Sequence, residues 1–151
     1  MSASLRVRQA GLADVARVAP LFDAYRGFYG QAADLALAQA FLRQRLASGE
    51  SFVLLAERGD AALGFVQLYP LFSSVRARRI LVLNDLYVAE AARRGGVAEA
   101  LLREAEAFAR AAGVLRLVLE TGEDNRIAQR LYEKLGWRHV SESRWYERAV
   151  D

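Results

Sequence analysis

Two hydrophobic rhythms alternate along the chain, one with a period of two residues and one with a period near 3.6, and their changeovers divide it into elements. Residues 5–10 alternate Leu5, Val7 and Ala10 with Arg6, Arg8 and Gln9, which predicts a half-buried first strand. Over residues 11–29 the period lengthens. Val15, Val18, Leu21, Phe22 and Tyr25 fall on one side of a helix, and Pro20 inside it predicts a kink or a break. Asp34 is expected to cap a second helix running to about Ala47 and closed by Ser48 and Gly49.

Residues 51–57 and 62–71 are apolar runs joined by Arg-Gly-Asp-Ala, a hairpin signal, with Pro70 predicting an end or a bulge in the second strand. Residues 79–88 form the next apolar run. Val97, Leu101, Leu102, Ala105, Phe108 and Ala109 then recur at helical spacing within residues 94–112, and Gly113 ends that helix. A strand is predicted over residues 114–120, a short helix over 125–135, and a final hairpin from 137–141 with 144–149. The order is β-α-α-β-β-β-α-β-α-β-β, within a single domain spanning residues 1–151.

Composition narrows the chemistry. The 151 residues are 54% hydrophobic and 26% charged, ordinary for a soluble globular protein. There is no cysteine and only one histidine, His139, so thiolate chemistry, disulfides and Cys- or His-built metal sites are not expected. The net charge of +3 is spread over 21 basic and 18 acidic residues without a clustered stripe, and neither a secretory leader nor a long apolar run is apparent. A cytoplasmic protein that binds neither nucleic acid nor membrane is therefore expected.

Between the strand over 79–88 and the long helix lies Arg93-Arg94-Gly95-Gly96-Val97-Ala98. A strand-to-helix turn of this kind aims backbone N–H groups and the positive end of a helix dipole at one spot, which suits phosphate, and glycine lets a pyrophosphate approach the main chain. No lysine follows Gly96 as a P-loop requires, and no GxGxxG is present. The segment instead resembles the acyl-CoA signature [QR]xxGx[GA] of the GNAT acetyltransferase superfamily. Downstream, Asn125, Ala128, Leu131, Tyr132, Gly136 and Trp137 are similar to that family's NxxAxxLYxxxGF pattern, with Trp for Phe.

The resemblance implies a GNAT fold of the α/β (α+β) class, a mixed, mostly antiparallel sheet flanked by helices, in which the strands over 79–88 and 114–120 splay apart. It implies acetyl-CoA as co-substrate, held by Arg93 to Ala98, by the backbone of Leu86, Tyr87 and Val88, and by Asn125. Tyr132 would then protonate the departing thiolate. The implied activity is N-acetylation of a primary amine in a small molecule or protein tail by direct attack in a ternary complex. A non-catalytic acyl-CoA-binding module is the alternative, and a homodimer is expected, in keeping with Trp137 and Trp145.

An alkyl ammonium is almost wholly protonated at neutral pH, so amide formation needs a group to take its proton. Asn84 and Asp85 interrupt an apolar strand and each must find a partner. Related polyamine-type enzymes carry an acid at the position of Asn84, which leaves Asp85 as the nearest carboxylate, with Glu120 as a second candidate. Tyr25, Arg26 and Tyr29 would line the acceptor side, Asp85 being an unpaired carboxylate that awaits a cationic amine. Arg26 could neutralise Asp85 or bind a substrate carboxylate, and the sequence leaves both open.

Overall fold

A computed structural model describes residues 3–150. The chain divides into two compact units, one ending at Glu120 and the other beginning at Thr121. The first holds a five-stranded sheet in the order β1 (Leu5–Ala10), β2 (Phe52–Arg58), β3 (Ala61–Ser73), β4 (Arg78–Val88) and β5 (Leu117–Val118). Neighbouring strands are antiparallel except β4 and β5, which are parallel. Its helices are α1 (Val15–Phe28), α2 (Leu35–Ala47) and α3 (Val97–Ala111).

The period-two pattern sorts the two faces of the sheet. Val53, Leu55 and Phe65 join Val15, Val18, Phe22, Ala38 and Leu42 in a buried cluster beneath α1 and α2. The alternate residues meet α3: the Phe52 ring lies 5.1 Å from that of Phe108, and a Cβ at Gly64 would come within 3.3 Å of Leu101 and 2.7 Å of the Tyr87 carbonyl. Gly64 is thus required by close approach. Burying an apolar side chain of this size contributes about 1.5–3 kcal/mol, so these two layers dominate the stability of the unit.

Several local expectations hold in detail. Asp34 caps α2 by accepting a hydrogen bond from the Leu37 N–H at 3.0 Å. The β2–β3 hairpin closes on Gly59, whose φ of 58° suits glycine, with Arg58 opposite Ala61. The apolar stripe of α3 is buried as its spacing predicts.

Three features differ. Helix α1 runs unbroken through Pro20. Strand β3 continues past Pro70 to Ser73, because β2 stops opposite Leu68 and the missing proline N–H costs no second ladder. Strand β5 comprises only Leu117–Val118 of the expected 114–120.

The second unit contains α4 (Arg126–Lys134). Residues 137–150 form no strand, so the predicted final hairpin is absent among the described residues. Arg138 in the first segment and Arg144, Glu147 and Arg148 in the second interrupt any apolar stripe, and Trp145 and Tyr146 are 88% and 86% exposed.

Candidate functional site

A cavity of about 360 Å³ opens where α1 and α2 cross β3 and β4. Phe22, Tyr25 and Arg26 enter from α1, Leu37, Ala38 and Phe41 from α2, and Tyr69, Asn84 and Asp85 from the sheet. That Asn84 and Asp85 both face it is unusual, since successive strand residues point to opposite faces. The cause is a bulge. Gln67 pairs with Asp85 and Leu68 with Leu83, so β4 carries one residue, Asn84, that has no counterpart on β3.

The bulge builds a polar cluster inside an apolar wall. Asp85 is 2% exposed, yet both carboxylate oxygens are held: Gln67 Nε2 donates to one at 2.6 Å and Asn84 Nδ2 to the other at 2.8 Å. The Tyr25 hydroxyl donates to the Asn84 carbonyl at 3.3 Å and lies close enough to Asp85 to help hold it. Burial raises the Asp85 pKa above the ordinary carboxylate range, and the bonds from Asn84, Gln67 and Tyr25 only partly offset this. Burial, reinforced by the Asp85 charge, also pushes the phenols of Tyr25 and Tyr69 up, so both stay protonated near neutrality.

The expected unpaired carboxylate is therefore a partnered one. Gln67 was the missing signal: it stands alone among apolar residues of β3, directly across from Asp85. Arg26 does not neutralise Asp85. Its Nη1 is buried without a hydrogen-bond partner, and among the described residues its guanidinium makes no ion pair. Tyr29 is 65% exposed and lies outside the cavity wall, with its ring edge-on to Tyr25 at 5.1 Å. Glu120 is exposed beyond β5 and is not part of the wall.

A second feature lies just beyond Asp85, at the C-terminal end of β4. The ladder to β5 covers only Leu81 and Val82, so among the described residues Leu86, Tyr87 and Val88 have no strand neighbour on that side. Arg93 folds back here, its Nε donating to the Val88 carbonyl at 3.1 Å and its guanidinium 5.6 Å from the Tyr87 ring centre. Arg94 and Gly96 both take positive φ, 66° and 78°, and Gly96 opens α3 without any side-chain cap. The first N–H groups of a helix have no intrahelical acceptor, so Val97 and Ala98 present donors beside a glycine at which a Cβ would meet nothing within 4 Å. Such a turn fits a diphosphate.

In the second unit, Asn125 caps α4, its Oδ1 accepting from the Ala128 N–H at 3.3 Å. Tyr132 is half-buried with its ring 6.1 Å from that of Trp137. Among the described residues no group of three or more His, Asp or Glu side chains is placed to hold a metal ion, and no helix is long and apolar enough to cross a membrane.

Comparison with known proteins adds to this geometry. The family described as Acetyltransferase (GNAT) matches residues 18–137. The chain is 47% identical over 133 residues to the uncharacterized N-acetyltransferase YhfO of Bacillus subtilis, covering 88% of this chain and 89% of that protein. A crystal structure of a probable acetyltransferase superimposes with a TM-score of 0.91 at 41% identity, over 97% of this chain and 98% of the other. An aminoglycoside N-acetyltransferase in complex with CoA shares the fold at a TM-score of 0.79, with 18% identity over 99% and 98% of the two chains.

Proposed function

Because the chain belongs to the GNAT acetyltransferase family and is therefore an acetyltransferase, we propose that it moves an acetyl group from acetyl-CoA to a primary amine by direct attack in a ternary complex. The observation that carries this reading is the buried, hydrogen-bonded Asp85 at the floor of a cavity, close to the end of the strand that leads into the Arg93 to Ala98 turn.

The Arg93 to Ala98 turn holds the pyrophosphate through the donors of Gly96, Val97 and Ala98 with Arg94 alongside, and the edge at Leu86, Tyr87 and Val88, where Arg93 takes the Val88 carbonyl, pairs through its remaining groups with the amide groups of the pantetheine arm. Asn125 contributes at the head of α4. Acetyl-CoA supplies the activated acyl carbon. Asp85 takes a proton from the acceptor ammonium, a task suited to a carboxylate whose pKa is raised toward neutrality. The amine nitrogen then bonds to the acyl carbon as the C–S bond breaks, Tyr132 gives its proton to the thiolate, and the second proton shed by the nitrogen passes through solvent to restore the phenol.

Thiol release from acetyl-CoA in the presence of a panel of primary amines tests this directly. Turnover is expected, and Tyr132→Phe should lower kcat on the order of 10²-fold with coenzyme affinity unchanged. Binding of acetyl-CoA without turnover of any amine would instead leave the module reading. We also propose a cytoplasmic homodimer, supported by the apolar surface of Trp145 and Tyr146. A monomer in sedimentation at micromolar concentration would count against the dimer.

A further inference from the structure

We propose that the acceptor is a zwitterion of the amino-acid type, a primary amine bearing a carboxylate and a compact apolar or aromatic body, with Arg26 binding the carboxylate. The proposal rests on the acetyltransferase reading and supplies the substrate class that the reading leaves open.

The charges in the cavity wall lead to it. Setting aside its tyrosines, the wall has two ionisable side chains, Arg26 and Asp85, and they are not paired with each other. Asp85 already has amide donors on both oxygens. Arg26 has none of the acceptors that a guanidinium normally finds, although its Nη1 is shut away from solvent. Arg26 is half-buried, and a guanidinium nitrogen that has given up water without gaining an acceptor is costly, so a substrate anion reaching Nη1 would restore the balance. A planar guanidinium takes a carboxylate with two parallel N–H donors, which also fixes the orientation of the ligand.

The rest of the cavity selects against other amines. A polyamine would bring two or more positive charges up to Arg26, with one largely buried carboxyl to offset them. Arg45, which stacks on Phe41 at 4.7 Å and is paired with Glu50 at 3.5 Å, still adds to the positive field near Tyr69. A single amino acid brings no net charge: its ammonium faces Asp85, its carboxylate Arg26, and its side chain the apolar surfaces of Phe22, Leu37 and Phe41. The 360 Å³ of space lies at the small end of the range for ligand cavities, enough for one amino acid and too little for an oligosaccharide or a folded tail.

The experiment varies ligand and residue together. Phenylalanine, leucine and alanine are each compared with their amides and their decarboxylated amines, with spermidine as the polyamine, in wild type and Arg26→Gln. Both kcat/KM with acetyl-CoA and calorimetric affinity in the presence of CoA are measured. In the wild type at least one amino acid should exceed its amide and its amine on the order of 10- to 100-fold in both readouts, and Arg26→Gln should bring that ratio close to one. Equal use of amide and amino acid, a preference for spermidine, or an undiminished ratio in Arg26→Gln would overturn the proposal while leaving the acetyltransferase reading intact. Should Arg26→Gln not fold, the ligand series in the wild type decides alone. Should no amine turn over, the acetyltransferase reading fails, and the calorimetric ratio still decides whether the cavity selects carboxylates.

Discussion

Around Asp85 the cavity is made of side chains: Gln67, Asn84 and Tyr25 hold the carboxylate, aromatic rings shape the space, and the backbone is hidden in the sheet. At the turn from Arg93 to Ala98 the reverse is true, since Gly96 offers no side chain and the groups on display are main-chain donors. A site made of backbone can serve the same cofactor in many different sequences, provided that a few residues permit the conformation. A site made of side chains can be rebuilt for a new acceptor without altering the fold.

The sharpest way to break the comparison is at the turn. Gly96→Glu forces a side chain into a φ of 78° and sets a negative charge where a diphosphate would lie. Calorimetry should show CoA affinity lowered at least about 100-fold, with the amino-acid ligands of the cavity still bound. Unchanged CoA affinity would remove the turn from the site.

In the cavity, Asp85→Asn should reduce kcat/KM on the order of 10²-fold. A base must be ionised to act, so wild-type activity should fall as pH drops through the raised Asp85 pKa, and the asparagine variant should lack this acid limb. Stability runs the other way. A carboxyl whose folded pKa is raised binds its proton more tightly folded than unfolded, so its ionisation costs stability as pH rises from the ordinary carboxylate range past the raised value. Asp85→Asn should therefore melt slightly higher than wild type at neutral pH while working far more slowly. A retained acid limb in the variant would disqualify Asp85 as the base.

The smallest effect separates conformation from charge within the turn. Arg94 sits at φ 66°, which costs a non-glycine residue about 1–2 kcal/mol. Arg94→Gly should recover about 1 kcal/mol in denaturant unfolding, and CoA binding should weaken only about 3- to 10-fold through the lost charge. If binding were lost altogether, the turn would depend on side chains as heavily as the cavity does.

The same contrast explains what could be read from the letters alone. Strands, helices and the Asp34 cap were legible because periodicity and capping are local. The turn was legible because Gly95 and Gly96 mark a backbone requirement that few residues meet. The acceptor side was only half legible. Tyr25, Arg26, Asn84 and Asp85 do meet in one cavity, but Tyr69, Leu37 and Phe41 enter it, and Gln67 reaches Asp85 from behind its wall, through tertiary packing that no local pattern encodes. Tyr29, chosen with its neighbours Tyr25 and Arg26, and Glu120, chosen at the end of the second splayed strand, lie outside its wall. The C-terminal hairpin was inferred from apolar residues whose charged neighbours leave it no face to bury.

The unmatched Asn84 gives this protein an unequal tolerance of sequence change. On β4, Leu83 shares a face with Leu68, while Asp85 and Tyr87 share the other face with Gln67 and Phe65, so the strand reverses its facing at one residue. A substitution at position 84 alters one contact. Deleting that position, or adding a residue beside it, would instead turn every side chain on one flank inside out, exchanging buried leucines for the carboxylate cluster. Over evolutionary time position 84 is therefore expected to accept new letters more readily than the strand changes its length, with insertions and deletions confined to the loops beyond its ends.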